Sequence, residues 1–231
     1  PGEFLCIVGP SGVGKTTLLR TLSGLIGLSA GEVRVGDDVL DGPVPDIGLV
    51  FQDYRGSLMP WMRTLENVAF PLRGKGMGKS ERNAIAQKCL EDVGLGDAAN
   101  SYPWELSGGM QQRVGLARAM AADPSILLMD EPFSALDPLI RRQLQDQFLE
   151  LSREMKKTTI FITHDLDEAI SIGNRIAIMK DGEIVQIGTP EQIVTEPAND
   201  YVADFVKDIS RLKLVSAQSI MRPIDEYLKD N

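Results

Sequence analysis

The sequence predicts an α/β fold with a mostly parallel β-sheet, helices on both faces of the sheet and an inserted helical subdomain. Short apolar runs recur along the 231-residue chain, helical periodicity separates them, and strand signals are absent from residues 53–122. We therefore assign residues 1–52 and 123–195 to the sheet-bearing core. Residues 53–122 form the predicted helical subdomain, and residues 196–231 form a C-terminal helical extension.

The strands of the core are predicted from short apolar runs. Residues 4–8 are continuously apolar and end at a glycine, which is typical of a strand buried on both faces of a parallel sheet. Leu18, Leu19 and Leu22 then follow at helical spacing, so a helix begins near Lys15. Further strands are predicted at residues 32–35, 47–51, 126–129, 159–163 and 175–180.

Three local signals mark the boundaries of the remaining elements. Ser80 is predicted to cap a helix that stops at Gly94. Asp181 and Gly182 lie between two apolar runs, which predicts a β-hairpin. Thr189 opens a further helix through a capping box.

Composition excludes several classes of protein. The net charge of −9 is the wrong sign for a protein whose main ligand is a nucleic-acid backbone. No apolar run reaches the ~18 residues of a membrane span, and Cys6 and Cys89 lack the short spacing of a metal or redox pair. We expect two buried thiols in a reducing compartment.

Because Pro1 directly precedes a strand, we also expect the natural N-terminus to lie upstream.

A glycine-rich loop with the complete pattern G-x-x-x-x-G-K-T follows the first strand and opens a helix. Its backbone N–H groups can converge on phosphate oxygens at a helix N-terminus, where partial positive charge favours anions. An ordinary glycine-rich turn does not require this full pattern. We predict that Lys15 bridges the β- and γ-phosphates and that Thr16 holds Mg²⁺. The predicted nucleotide-binding residues are Gly9, Pro10, Ser11, Gly12, Val13, Gly14, Lys15, Thr16 and Thr17.

Polar residues follow three other predicted strands. Asp130 and Glu131 end one strand, and we assign Asp130 to the metal and Glu131 to the general base, although acids also cap helices. His164, the only histidine, ends another strand and is predicted to contact the γ-phosphate rather than to act as a structural cap. Gln52 ends a third strand and is predicted to bind Mg²⁺ or to orient the attacking water, unless it lies in a surface turn.

A second anion-binding helix start is predicted at Ser107, Gly108 and Gly109, which precede an apolar helical stripe. One subunit cannot easily bring this site and the phosphate loop to opposite ends of the same triphosphate. Two subunits arranged head to tail can do so.

Taken in order, these motifs resemble the nucleotide-binding subunit of ABC transporters over roughly residues 1–195. The resemblance rests on the phosphate loop, Gln52, residues 106–111, Asp130, Glu131, residues 134–137 and His164. It implies a P-loop NTPase core with a RecA-like sheet, ATP and Mg²⁺ as cofactors, and a homodimer that encloses two ATP molecules. Each ATP then meets Ser107, Gly108 and Gly109 of the other copy, and Gln111 and Asp137 join the predicted nucleotide-binding residues.

The resemblance also implies an ATPase on the cytoplasmic face of the membrane, bound to integral membrane permease subunits and indirectly served by a solute-binding protein. No nucleic-acid partner is expected. Residues 53–68 are the candidate surface for the permease. An aromatic residue that stacks on adenine is expected upstream of residue 1.

Two subfamilies of importer are indicated by different segments. Residues 134–193 and 197–205 resemble subunits that serve glycine betaine and related quaternary amines, whereas residues 51–54, 58–61 and 65–68 look more like those of sulfonate or nitrate importers. Residues 216–223 look like the start of a cystathionine-β-synthase-type regulatory module, with a plain terminal helix as the alternative.

Soluble ABC ATPases of repair or translation share these motifs, but residues 52–106 leave no room for the long coiled coil of the repair members. A small-molecule kinase has no need of Ser107, Gly108 and Gly109. A GTPase is disfavoured because the sequence contains no Asn-Lys-x-Asp motif.

Overall fold

A computed structural model describes residues 2–154 and 157–207, with side chains described for all of these except residues 54, 55 and 151–154. The strands are β1 (Phe4–Val8), β2 (Arg34–Val35), β3 (Asp38–Val39), β4 (Ile47–Val50), β5 (Ile126–Asp130), β6 (Thr158–Thr163), β7 (Arg175–Lys180) and β8 (Glu183–Gly188). Six of them form one sheet in the order β4-β5-β6-β1-β7-β8. All neighbours in this sheet are parallel except β7 and β8. The mostly parallel sheet predicted from the sequence is confirmed.

The α-helices of the described ranges lie between and after these strands. They are α1 (Lys15–Leu22), α2 (Tyr54–Ser57), α3 (Thr64–Ala69), α4 (Lys79–Asp92), α5 (Gly108–Ala121), α6 (Pro138–Glu154), α7 (Leu166–Ile172), α8 (Pro190–Thr195) and α9 (Asp200–Val206). Short 3₁₀ segments occur at Phe70–Lys75, Gly96–Ala98 and Pro103–Glu105. Within the described ranges, no helix is long and apolar enough to cross a bilayer.

Alternation along the central strands explains why helices cover both faces of the sheet. In β1, Cys6 and Val8 join one apolar cluster, whereas Ile7, between them, joins a second cluster with Leu19 of α1. Successive strand residues point to opposite faces, so a strand that is apolar at every position must be covered twice. Each large apolar side chain buried in this way contributes about 1.5–3 kcal/mol.

The segment between β4 and β5 is built from α2 to α5 and is packed onto the sheet. Leu72, Ala86 and Leu90 are buried in the same cluster as Cys6 and Val8 of β1. The predicted subdomain boundaries at residues 53 and 122 stay predictions, because this core is continuous across them. Of the predicted C-terminal extension, the structure describes α9, whereas residues 208–231, which include the predicted module start at 216–223, lie outside the described residues.

Two local predictions are corrected by the structure. The strand predicted at residues 32–35 is reduced to Arg34–Val35, which pairs with Asp38–Val39 in a separate two-stranded ribbon. Its side chains are largely exposed, so no core contact extends the strand. Ser80 does not cap α4, because the helix already begins at Lys79 with Gly78 as its N-cap. The stop at Gly94 is confirmed, since Gly94 has φ of +68° just beyond the helix end.

Candidate functional site

The topology brings the predicted polar residues to one edge of the sheet. Strands β4, β5, β6 and β1 are adjacent and parallel, so their carboxyl ends lie side by side. Gln52, Glu131, His164 and the phosphate loop follow these four strands. Ligands of open α/β sheets bind outside the carboxyl ends of the strands.

The phosphate loop is shaped by glycines at its tight points. Gly12 and Gly14 have φ of +83° and +101°, in the region that side chains disfavour. Gly9 is constrained by space, because a Cβ there would lie 2.3 Å from the carbonyl oxygen of Met179 in β7. The loop therefore rests directly on the sheet and leads into α1 at Lys15.

Lys15 lies folded inside this loop. Its Nζ donates to the carbonyl oxygens of Gly9 at 2.6 Å and Pro10 at 2.9 Å, and the residue is only 6% exposed. Burial lowers the pKa of Lys15, while the nearby carboxylates of Glu131 and Asp130 act in the opposite direction. The ammonium is thus held at the centre of the loop with two carboxylates close by.

Thr16 and Asp130 form the second part of the site. The Thr16 hydroxyl donates to Asp130 Oδ2 at 2.8 Å, and Asp130 is only 4% exposed. Burial raises the pKa of Asp130, and the bond from Thr16 partly offsets this. Across the described residues there is no group of three His, Cys, Asp or Glu side chains able to hold a metal. The pair instead fits Mg²⁺, which usually takes few protein ligands and completes its shell with phosphate oxygens and water.

The side chains of the other predicted catalytic residues, Gln52 and His164, both contact the carboxylate of Glu131. Its Oε2 accepts from Gln52 Nε2 at 3.1 Å and lies 3.2 Å from His164 Nδ1. The Glu131 side chain is 14% exposed and the imidazole of His164 is 62% exposed, so the carboxylate lies at the base of the site and the histidine at its mouth. Glu131 also has φ of +44°, a left-handed backbone conformation that is rare outside glycine.

The second predicted anion site lies at the start of α5, with Ser107 as the N-cap. Its Oγ accepts from the backbone N–H of Met110 at 3.3 Å. Gln111 donates to the carbonyl oxygens of Pro103 at 2.8 Å and Leu106 at 3.1 Å. Asp137 accepts from two backbone N–H groups at the start of α6. In the single described chain, the bonds of Ser107, Gln111 and Asp137 thus run to nearby backbone, and the structure does not join them to the phosphate loop.

Two polar side chains near the site, the buried Gln112 and the half-buried Glu168, were missed by the sequence analysis. Gln112 donates to the carbonyl oxygen of Glu131 at 3.3 Å from a core position of α5. Glu168 accepts hydrogen bonds from Thr163 and from Gln145. The available signal for Gln112 was its place among the apolar positions of α5, where a polar side chain needs a buried partner.

Five parallel strands, a phosphate loop between β1 and α1, and carboxylates at the end of β5, which β6 separates from β1 in the same sheet, define the P-loop NTPase class. The family model described as ABC transporter matches residues 1–134. The chain belongs to the ABC transporter family.

Curated relatives agree with the resemblance to quaternary amine importers. The glycine betaine transport ATP-binding protein OpuAA of Bacillus subtilis is 50% identical over 96% of this chain and 54% of its own length. The glycine betaine/proline betaine transport system ATP-binding protein ProV of Escherichia coli is 48% identical over 96% of this chain and 57% of its own length. The chain thus spans little more than half the length of these relatives. The trimethylamine N-oxide transport system ATP-binding protein TmoW of Pelagibacter ubique is 44% identical over 99% of this chain and 70% of its own length.

Solved structures support the fold. A dimeric bacterial ABC transporter cassette superposes with a TM-score of 0.76 and 38% identity, covering 82% of this chain and 86% of the other. A post-hydrolysis dimer of an ATP-binding cassette, bound to ADP and phosphate, has the same TM-score of 0.76.

Proposed function

We propose that this chain is the ATP-binding and ATP-hydrolysing subunit of an ABC importer. The observation that carries the proposal is the convergence of Gln52 and His164 on one oxygen of Glu131. The same edge of the sheet carries the phosphate loop and the Thr16–Asp130 pair. The residues proposed to bind the nucleotide, to bind the metal and to activate water are therefore adjacent along this edge of the sheet.

Lys15 and the loop amides bind the phosphates in this proposal. The Lys15 ammonium exchanges the carbonyl oxygens of Gly9 and Pro10 for phosphate oxygens when the triphosphate enters. The N-terminus of α1 adds partial positive charge at the same place. Thr16 and Asp130 hold Mg²⁺, with Gln52 as a further candidate ligand. Bound Mg²⁺ neutralises phosphate charge during transfer.

Glu131 activates the attacking water. Because its Oε2 is engaged by Gln52 and His164, we assign Oε1 to the water. Glu131 accepts a proton as the water oxygen bonds to the γ-phosphorus, and the bond to the bridging oxygen breaks to release ADP. Gln52 and His164 fix the direction of the carboxylate, and the exposed imidazole of His164 is also free to turn toward the γ-phosphate.

Two copies complete the sites. The start of α5, with Ser107, Gly108 and Gly109, presents backbone N–H groups at a helix N-terminus, which favours an anion. In the proposed head-to-tail homodimer, this helix start meets the triphosphate bound by the other copy, with Gln111 and Asp137 nearby. The dimeric state of the similar solved cassette supports this arrangement.

The proposed transporter imports glycine betaine or another quaternary amine. The names of the relatives from Bacillus subtilis and Escherichia coli support this solute class. The chain then lies at the cytoplasmic face of the membrane, docked on integral permease subunits that receive solute from a binding protein. Residues 53–68 are the proposed permease surface.

Uptake by the reconstituted complex tests the proposal. Liposomes that contain the full chain with its permease and binding protein are expected to accumulate labelled glycine betaine only when ATP is enclosed, and Glu131→Gln is expected to stop accumulation. Uptake of a sulfonate or nitrate in place of betaine assigns the chain to the other importer class. Copurification with ribosomes or DNA and without a permease contradicts the importer function.

A further inference from the structure

We propose that Gln112 is a positioning residue that holds the backbone of Glu131 and links it to the helix bearing Ser107, Gly108 and Gly109. The inference rests on the proposed role of Glu131 as general base. It adds a route by which the start of α5, acting in one ATP site, affects the carboxylate of the other site.

The backbone of Glu131 needs support from its surroundings. A non-glycine residue at φ of +44° is strained, and such strain persists only where neighbouring contacts determine the conformation. The N–H of Glu131 donates to the carbonyl oxygen of Ile162 in β6 at 3.0 Å. The carbonyl oxygen of Glu131 accepts from the backbone N–H of Ser134 at 3.1 Å and from Gln112 Nε2 at 3.3 Å. The peptide groups on both sides of Glu131 are therefore held, one by the sheet and the other by the local turn to Ser134 together with Gln112, which is the contact that reaches α5.

A hydrogen bond to the Gln112 side-chain oxygen fixes the orientation of the Gln112 amide. Its Oε1 accepts from the backbone N–H of Ala135 at 3.1 Å, and its Nε2 also lies 3.4 Å from the Ser134 hydroxyl. A backbone N–H can only donate, so Oε1 must face Ala135 and Nε2 must face Glu131. Gln112 is 2% exposed, so water cannot replace these bonds if the amide is removed.

The loop between β5 and α6, which contains Glu131 and Ala135, touches α5 at a second point. A Cβ on Gly109 would lie 2.9 Å from Leu136 Cδ2 and 3.5 Å from the carbonyl oxygen of Ala135. The start of α5 thus packs closely on the loop that Gln112 holds, and Gln112 lies less than two turns after Ser107 on the same helix. A shift of α5 when Ser107 engages a second copy is therefore transmitted to Glu131.

Gln112→Met and Gln112→Glu test the proposal in the full chain. Methionine has a similar volume and no amide, whereas glutamate keeps an acceptor for Ala135 and places a carboxylate against the carbonyl oxygen of Glu131. For both variants we expect kcat for ATP to fall about 10-fold or more, while KM and the Kd of a fluorescent ATP analogue change less than about 2-fold. The Hill coefficient for ATP is expected to fall toward 1. Gln143→Met, at an exposed position of α6, is the matched control and is expected to match the wild type.

A purely structural role for Gln112 predicts a different pattern, in which kcat, nucleotide affinity and the unfolding midpoint fall together. That pattern, or an unchanged kcat, overturns the proposal. If Gln112→Met does not fold, Gln112→Asn decides in the same way, because it keeps the amide but withdraws it by one methylene. Failure of the proposed function is recognised separately, since Glu131→Gln then leaves ATP turnover intact.

Discussion

Substitution of Gly9 by alanine tests the contact between the phosphate loop and the sheet. The new Cβ would lie 2.3 Å from the carbonyl oxygen of Met179. Close C···O contacts in proteins are roughly 3.3–3.6 Å, so the loop or β7 must move by about 1 Å. Forcing such a contact in a packed region costs about 1–3 kcal/mol. Because the Lys15 ammonium bonds to the carbonyl oxygen of Gly9, the displacement is expected to disturb the phosphate site itself.

The expected result is a loss of nucleotide affinity of roughly 10- to 100-fold, since about 1.4 kcal/mol corresponds to a factor of ten. Titration with a fluorescent ATP analogue measures the affinity, and thermal unfolding measures the accompanying destabilisation. Gly27→Ala is the matched control, because a Cβ at Gly27 meets no heavy atom within 4 Å. Wild-type affinity together with a wild-type unfolding midpoint for Gly9→Ala would show that the close contact between Gly9 and Met179 does not constrain the phosphate loop.

Three further predictions concern other parts of the site. Thr16→Val removes the hydroxyl that bonds to Asp130, so half-maximal ATPase activity is expected to need roughly 10-fold more Mg²⁺; an unchanged Mg²⁺ titration contradicts the metal assignment. Ser107→Arg is expected to block ATP-driven dimerisation in size-exclusion chromatography while monomer nucleotide binding persists, and a normal dimer peak excludes the second anion site. Burial raises the pKa of Glu168 above its ordinary value of 4.5, so the folded state holds the proton more tightly than the unfolded chain. The resulting stabilisation is present below pH 4.5 and is lost as the pH rises from there through the higher pKa of the folded state. Glu168→Gln is expected to abolish this fall in unfolding midpoints, and equal slopes for the two proteins contradict the assignment.

The sheet was predicted well where its strands are nearly continuous apolar runs, as in β1 and β5. The run at residues 4–8 matches β1 (Phe4–Val8), and the hairpin at Asp181 and Gly182 lies between β7 and β8. The ribbon of β2 and β3 was harder to predict, because its two-residue strands are exposed and are not fixed by a buried face. The start of α4 was misplaced because a glycine, Gly78, serves as the N-cap in place of the nearby serine.

The site could be predicted as a set of residues but not as a network. Strand ends identified Gln52, Glu131 and His164, and parallel topology implied that they lie near one another. Their meeting at a single carboxylate oxygen depends on side-chain directions that no sequence pattern specifies. The strained backbone of Glu131 and its support by Gln112 also depend on tertiary contacts, because these residues are 19 positions apart in the chain.

Glu131 is the proposed general base of an ATP-hydrolysing site formed at this sheet edge. The most direct measurement is steady-state ATP turnover of Glu131→Gln beside the wild type, with nucleotide affinity measured on the same samples. Turnover is expected to fall by about 100-fold or more while ATP affinity is kept, because Lys15 and the loop amides still bind the phosphates. Turnover within about 2-fold of the wild type, measured with ATP affinity retained, would show that Glu131 is not the general base.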